Sequence, residues 1–367
     1  MSIRIPLQRE REKLEQTMRL LGKVIMRIGL TFNLRKSYEP QASDPPDRYV
    51  EFDSEETIEA IRATLECLGH DVALIGDVKS LLSFLPTSEP GMVFNIAEGM
   101  EGRSREAQIP AILEAFCIPY TFSDPLTLAL SLHKGMTKVV IKSEGIPTPD
   151  FYLVEEIAEV NGNLPFPLFI KPAYEGTAKG VDTRCLVKDV DSLHREVSRL
   201  LSLYCQPVLV ERYLPGEEYT VGILGTGRNA RVLGMMQVIV RDKNQGNIYT
   251  QIAKEECEDR VAYIPGEMTP VEIRQQIETI SLKAYQILGC RDAGRVDIRC
   301  DEFGNPYFLE INPLAGLHPT HSDLCIIANQ VGMSYTELIE AILASAVNRY
   351  SSRDMMHCTP TLNQGKI

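Results

Sequence analysis

Arg295-Val296-Asp297-Ile298-Arg299-Cys300-Asp301-Glu302-Phe303-Gly304-Asn305-Pro306-Tyr307-Phe308-Leu309-Glu310-Ile311-Asn312 reads as a β-hairpin that gathers oxygen donors on one face. Side chains alternate across a strand, so Arg295, Asp297 and Arg299 share one side of the first strand, and Phe308, Glu310 and Asn312 share one side of the second. With the turn centred on Phe303-Gly304, Asp297 lies opposite Glu310, and Arg295 lies opposite Asn312. Carboxylates, a carboxamide oxygen and a guanidinium then converge. Hard oxygen donors of this kind suit Mg²⁺ beside nucleotide phosphates, and an arginine among them would face negative charge that develops during a reaction. Taken alone, the stretch also fits an ordinary hairpin with a solvated, charged face.

Composition narrows the setting. The chain has 367 residues, enough for two or three domains with cores of their own. A net charge of -12 argues against nucleic acid as a partner, because affinity for phosphate backbones needs clustered Lys and Arg. The nine cysteines contain no C-x-x-C pair and sit in apolar elements, the pattern of free thiols in a reducing compartment, so a cytoplasmic location is expected. No run approaches the length of a membrane span, and Arg19 and Lys23 interrupt the N-terminal apolar positions where a signal peptide would need continuity.

Residues 1–26 form an amphipathic, basic stretch with Leu7, Leu14, Met18, Leu21 and Ile25 at helical spacing, expected to dock on the body or on a second subunit. Residues 27–123 alternate strands and helices, which predicts a parallel sheet with covered faces. Strands are expected at 27–33, 72–75 and 92–96. Asp53 with Glu56 reads as a capping box opening a helix. A second unit, 124–213, is expected to hold a helix over about 126–145, strands at 168–171, 181–186 and 208–212, and a helix over about 191–203. A third, 214–350, opens with longer strands, continues through a helix with Thr269 as N-cap and Pro270 at its first position, and ends in a helix capped by Ser334 and Glu337. Residues 351–367 read as a loose tail.

Two further segments carry chemistry. Phe169-Ile170-Lys171-Pro172-Ala173-Tyr174-Glu175-Gly176-Thr177-Ala178-Lys179-Gly180 is a strand that delivers a lysine and then a glycine loop. Such a lysine can neutralise phosphates while loop N–H groups cradle them, although the spacing matches neither the P-loop nor the dinucleotide fingerprint. A surface turn with a snorkelling lysine is the plainer alternative. Val208 to Tyr219 is an apolar strand running into an acidic turn, where backbone groups of Arg212 to Leu214 could meet an adenine edge and Glu218 a ribose. A solvated linker explains this segment as well.

Taken together, Lys134, Ile170-Lys171-Pro172 with Glu175-Gly176, Glu211-Arg212-Tyr213-Leu214 with Glu218, Ala253-Lys254, Gly294-Arg295-Val296-Asp297, and Leu309-Glu310-Ile311-Asn312 with Gly316 closely resemble the ATP-grasp ligases of the D-alanine:D-alanine ligase type. The resemblance runs from about residue 92 to 348. It implies a three-domain α/β fold, α+β in its C-terminal part, with an N-terminal parallel-sheet substrate domain, a central ATP-grasp subdomain and a C-terminal catalytic domain. It implies ATP held by Lys134, Lys171 and Lys254 at the phosphates, by Glu175, Gly176 and Thr177 in the loop, by Glu211, Arg212 and Leu214 at the base, and by Glu218 at the ribose. Asp297, Glu310 and Asn312 would bind two Mg²⁺ ions, with Mn²⁺ an alternative, while Arg295 and the Gly316 N–H would stabilise an oxyanion. The implied reaction activates a carboxylate as an acyl phosphate, which an amine then attacks. A homodimer acting on amino acids is the expected assembly.

Departures from the family pattern fall at substrate-facing positions. Glu98 stands where a histidine is usual, Thr177-Ala178 replaces a serine pair, and Glu255 replaces a tyrosine. A serine expected beyond Gly316 aligns with His321 or, one residue on, Ser322. The N-terminal glycine-rich segment with its glutamate is replaced by Thr31-Phe32-Asn33-Leu34-Arg35. These departures predict an amino-acid ligase with an altered acyl or amine substrate. The alternatives are a genuine D-alanine:D-alanine ligase or a nucleotide-binding protein without turnover. Arg35, Arg103, Arg105 and Lys179 add positive charge that could grip a further anion, or, for Arg103 and Arg105, simply pair with Glu101 and Glu106.

Overall fold

The computed structural model describes residues 25–42, 44–240 and 261–351. Nearly all of the expected N-terminal helix, nearly all of the expected tail, and Lys254 with Glu255 lie outside the described residues.

Three sheets carry the fold. The first is parallel, as the alternating pattern predicts, with β1 (Arg27–Thr31) between β2 (Asp71–Gly76) and β3 (Met92–Asn95). Ile28, Leu30, Met92 and Phe94 pack on Ile58, Ile61 and Leu65 of the helix Glu55–Cys67. From the opposite face, Ile75 and Val93 meet Leu81, Ile109 and Leu113 of the helices Val78–Phe84 and Gln108–Ala115. The cap of the first helix is Ser54, whose hydroxyl accepts from the Thr57 N–H at 3.2 Å, and not Asp53. A serine at N-cap serves the orphan N–H as well as an aspartate does, and it leaves the Asp53 carboxylate to face a cavity.

The second sheet is antiparallel, with β4 (Phe151–Val154), β5 (Leu168–Pro172), β6 (Leu186–Val187) and β7 (Val208–Arg212) in the order β4-β7-β5-β6. It packs on Leu193, Val197 and Leu200 of the helix Val190–Tyr204. The strand expected at 181–186 is mostly a turn. The Asp182 carboxylate accepts from the Arg184 N–H at 2.8 Å, a local bond that competes with a ladder.

The helix expected over 126–145 is two helices, Pro125–Leu132 and Lys134–Ser143, broken at His133. The break releases the Lys134 N–H to the Ala173 carbonyl at 3.0 Å and sets the Lys134 side chain at a helix start. Apolar periodicity runs through the break, so the sequence alone hides it.

The third sheet is antiparallel, with β8 (Glu218–Leu224), β9 (Arg231–Val240), β10 (Val261–Pro265), β11 (Ala293–Cys300) and β12 (Pro306–Asn312) in the order β10-β9-β8-β11-β12. Ile277, Ala284 and Tyr285 of the helix Val271–Ile287 fill one face, and the helix Asp323–Gln330 covers β8 and β9 from the other. The first of these helices is capped by Pro270 without a side-chain bond, one residue later than Thr269 predicts. Ser334 and Glu337 do form the reciprocal box, at 2.8 and 3.3 Å, before the helix Tyr335–Ser351.

Asp292 ties these layers together. It is fully buried and accepts from the Phe122 N–H at 2.8 Å, the Ser345 hydroxyl at 2.9 Å and the Thr226 hydroxyl at 3.0 Å, and it pairs with Arg349 at 2.7 Å. Removing one member of a buried pair strands the other, at a cost of about 3–5 kcal/mol. Asp292→Ala should therefore unfold at clearly lower urea, and an unchanged midpoint would show that this junction contributes little.

Candidate active site

The hairpin β11–β12 has the expected register where chemistry is concerned: Arg295 pairs with Asn312 and Asp297 with Glu310. Beyond that the ladder shifts, so that Ile298 pairs with Phe308 and Leu309 is an extra, bulged residue. Phe308 consequently turns into the core, fully buried beside Ile298, and does not share the Glu310 face as strict alternation predicts. Leu309 takes a place in the cleft instead. Thr220 on β8 donates to Asp297 at 2.9 Å and fixes that carboxylate. With its amide turned so that oxygen faces the guanidinium, Asn312 accepts from Arg295 at 3.1 and 3.3 Å. Arg295 also binds Asp323 and lies 3.5 Å from Asp297, so acids on both sides hold it in place.

Between the second and third sheets lies a cleft. It brings together Lys134, Lys171, Glu175, Glu211, Arg212, Leu214, Glu218, Arg295, Asp297 and Glu310. The ammonium groups of Lys134 and Lys171 lie 3.4 and 3.6 Å from the same Glu310 oxygen. Lys171 also pairs with Glu211 at 3.1 Å, and Lys138 binds the other oxygen of Glu211 at 2.8 Å. Burial by itself would raise the Glu211 pKa, but Lys138 and Lys171 outweigh it and hold the carboxyl below its ordinary value. Lys138 is shifted down by its own burial, only partly offset by Glu211. The sequence reading missed Lys138. Its only signal was a lysine one turn after Lys134 on the helix.

A second and larger cavity adjoins the cleft, with Lys134 and Arg295 lining both. It collects Asn312, Gly316, Gly176, Thr177, Glu98, His321 and Ser322. The Ser322 hydroxyl accepts from the His318 N–H at 2.8 Å, and a Cβ built on Gly316 would come 2.9 Å from that hydroxyl, so glycine lets the loop close over the serine. His321 stacks on His318 with ring centres 4.5 Å apart. Both candidates for the substrate-facing position thus line the cavity.

The glycine loop is held from the N-terminal side in a way the sequence did not show. Glu51 accepts from the Gly176 N–H at 2.6 Å and pairs with Arg105 at 2.9 Å and Lys179 at 3.3 Å, while Asp47 accepts from the Gly180 N–H at 2.8 Å. Arg105 therefore pairs with Glu51 and Glu175, and not with Glu101 or Glu106; together with Lys179 it is occupied by protein carboxylates. Burial would raise the Glu51 pKa, but Arg105 and Lys179 prevail and hold it at about 2. Thr177 and Ala178 take left-handed backbone, at φ 48° and 56°, where a β-branched threonine or an alanine is strained.

The side chains of Asp297, Glu310 and Asn312 offer oxygen donors, as a hard divalent cation requires, and Lys134 and Lys171 already bring cationic charge to Glu310. Among the described residues another cluster, Asp182, Cys185 and Glu196, has ligand atoms in range. Arg184 and Arg199 already neutralise its acids, and burial pushes the Cys185 thiol up to about 12, so it is an ion-pair network.

Comparison with known proteins agrees with this geometry. The family described as D-ala D-ala ligase C-terminus matches residues 140–344. An uncharacterized protein of Sinorhizobium fredii is 34% identical over 80% of this chain and 88% of its own length. A D-alanine–D-alanine ligase of Bordetella avium is 34% identical over 78% of this chain and 87% of its own, and one of Synechococcus is 33% identical over 80% and 88%. In three dimensions, a Bacillus anthracis D-alanine–D-alanine ligase complexed with ATP superposes with a TM-score of 0.68 at 22% identity, covering 88% of this chain and 98% of that one, a likeness of fold. With the paired hairpin acids, the lysine-lined cleft and these relatives in agreement, the chain belongs to the D-alanine–D-alanine ligase family of ATP-grasp, ATP-dependent ligases.

Proposed function

We propose that the protein joins the carboxylate of one amino acid to the amine of another through an acyl phosphate, with ATP in the lysine-lined cleft and both amino acids in the adjoining cavity. The observation that carries this reading is Arg295, which lines both spaces beside Asp297 and Asn312. A carboxylate is a poor electrophile, and phosphorylation makes it reactive. Lys134 and Lys171 bind the phosphates of ATP, as does Lys254, while Arg212 and Leu214 meet the base and Glu218 the ribose. Glu211 orients Lys171 and Lys138. Asp297, Glu310 and Asn312 would hold Mg²⁺, as two ions in preference to Mn²⁺, and that cation, when bound, spreads the negative charge of the transferring phosphoryl group. Arg295 and the Gly316 N–H stabilise the oxyanion formed when the amine attacks. Glu98, His321 and Ser322 face the substrates, and Glu255 is assigned to substrate recognition with them. Glu175, Gly176 and Thr177 form the loop between the two spaces.

Hydroxylamine tests the intermediate. Supplied with ATP and the acyl substrate, it should trap a hydroxamate with ADP as the nucleotide product, whereas AMP and pyrophosphate would point to adenylation and sink the mechanism.

The substrate is taken to differ from that of the named relatives, because Glu98 lines the cavity at a position where the family pattern has a histidine. A kcat/KM highest for D-alanine at both positions would restore the plainer reading. A homodimer fits the half-exposed Leu74 and Leu82 on the first sheet and its helix, and sedimentation decides it. A cytoplasmic setting fits the free cysteines; no helix among the described residues is long and apolar enough to cross a membrane.

A further inference from the structure

The cavity beside the ATP cleft carries an imbalance of charge. Asp53, Glu98 and Glu106 all line it, and among the described residues none of their side chains makes a hydrogen bond or an ion pair. Glu106 is 8% exposed, so most of its side chain is buried and its carboxylate opens on the cavity. The neighbouring cations are committed elsewhere. Arg105 holds Glu51, Glu175 and the Tyr174 carbonyl, Lys134 holds the Glu175 carbonyl and Glu310, and Arg35 donates to the carbonyls of Val50 and Phe52.

A buried carboxylate without a donor costs free energy that folding does not return, so it persists where a ligand supplies the missing charge. The titration of the three groups agrees. Burial raises Glu106 to about 7 against the pull of Arg105, and raises Asp53 to about 8 against Arg35. Burial, then Glu106, Glu51 and Asp53, push Glu98 well above its ordinary value. Each carboxyl is short of positive charge.

An ordinary amino acid does not correct this. It brings one ammonium and one carboxylate, a net charge of zero, and one carboxylate of the three satisfies its ammonium. A diamino acid brings a second ammonium and a net positive charge. The larger cavity is open at its mouth and has room for a longer side chain.

We propose that Asp53, Glu98 and Glu106 form a carboxylate cage for a second ammonium group, so that one substrate of this ligase is a diamino acid. The assignment rests on the ligase reading above for turnover, and on the cavity alone for binding.

Matched pairs test it. Ornithine against norvaline and lysine against norleucine differ by an amine in place of a hydrogen on the terminal carbon, and each pair is assayed in both enantiomers, as acyl and as amine substrate, by ADP release. The diamino member should show at least about tenfold higher kcat/KM, and Glu106→Gln should bring that ratio toward unity, with Glu98→Gln as the second variant should the first not fold. Calorimetric titration of the full chain with ornithine and norvaline, without ATP, reads the cage independently of turnover. Ornithine binding at least tenfold tighter than norvaline, without ADP release from any pair, would keep the cage and overturn the ligase reading. Turnover in which norvaline and norleucine match or exceed their diamino partners would overturn the cage and keep the ligase, and equal or absent binding of the two probes without turnover would overturn the cage.

Discussion

Glu310→Gln should lower kcat by on the order of 10²–10³-fold while leaving the circular dichroism and unfolding midpoint nearly unchanged. The substitution keeps shape and removes charge at the one carboxylate that Lys134 and Lys171 both approach, 3.4 and 3.6 Å away. In the proposed reaction that charge holds the divalent cation against the phosphates, so the loss should appear in kcat together with a raised Mg²⁺ requirement. Glu310 is a partly exposed hairpin residue, which is why the fold should tolerate the change. Near-normal turnover at unchanged Mg²⁺ would remove the metal assignment from this face.

Arg295→Met is expected to cost a similar factor in kcat, with ATP affinity changed by only a few fold. A guanidinium that acts on the developing oxyanion contributes little to the ground state, so the effect should fall on kcat and not on the KM for ATP. The variant removes the guanidinium that pairs with Asp323 beside a cavity already rich in acid. Lysine at this position restores charge without the fork that reaches Asp297, Asp323 and Asn312 together, and it should rescue only in part. A proportional loss of ATP binding would recast Arg295 as a nucleotide contact.

Much of this site was legible because strand chemistry is local. Alternation and one turn placed Asp297 opposite Glu310 and Arg295 opposite Asn312, and the structure has both pairs. The parallel first sheet followed from strand–helix alternation in the same way. What the sequence hid depends on distant segments meeting. Lys138 is marked along the chain only by its spacing from Lys134, and its role appears when β7 brings Glu211 against it. Asp53 reads as a helix cap and Glu51, two residues before it, carries no signal of its own, yet Glu51 ties down the glycine loop from across the cavity. Phe308 was assigned the wrong face because one extra residue changes the parity of a strand, and a bulge leaves no compositional mark.

That extra residue separates two things a regular strand would keep linked. Phe308 faces the core and Glu310 faces the cleft whether or not anything stands between them on the cleft side, since each keeps its own partner on β11. Leu309 is an insertion within an otherwise ordinary hairpin, and its side chain lines the cleft without carrying the ladder. A change in the size or kind of that side chain therefore reshapes the cleft wall while Asp297 and Glu310 stay in frame.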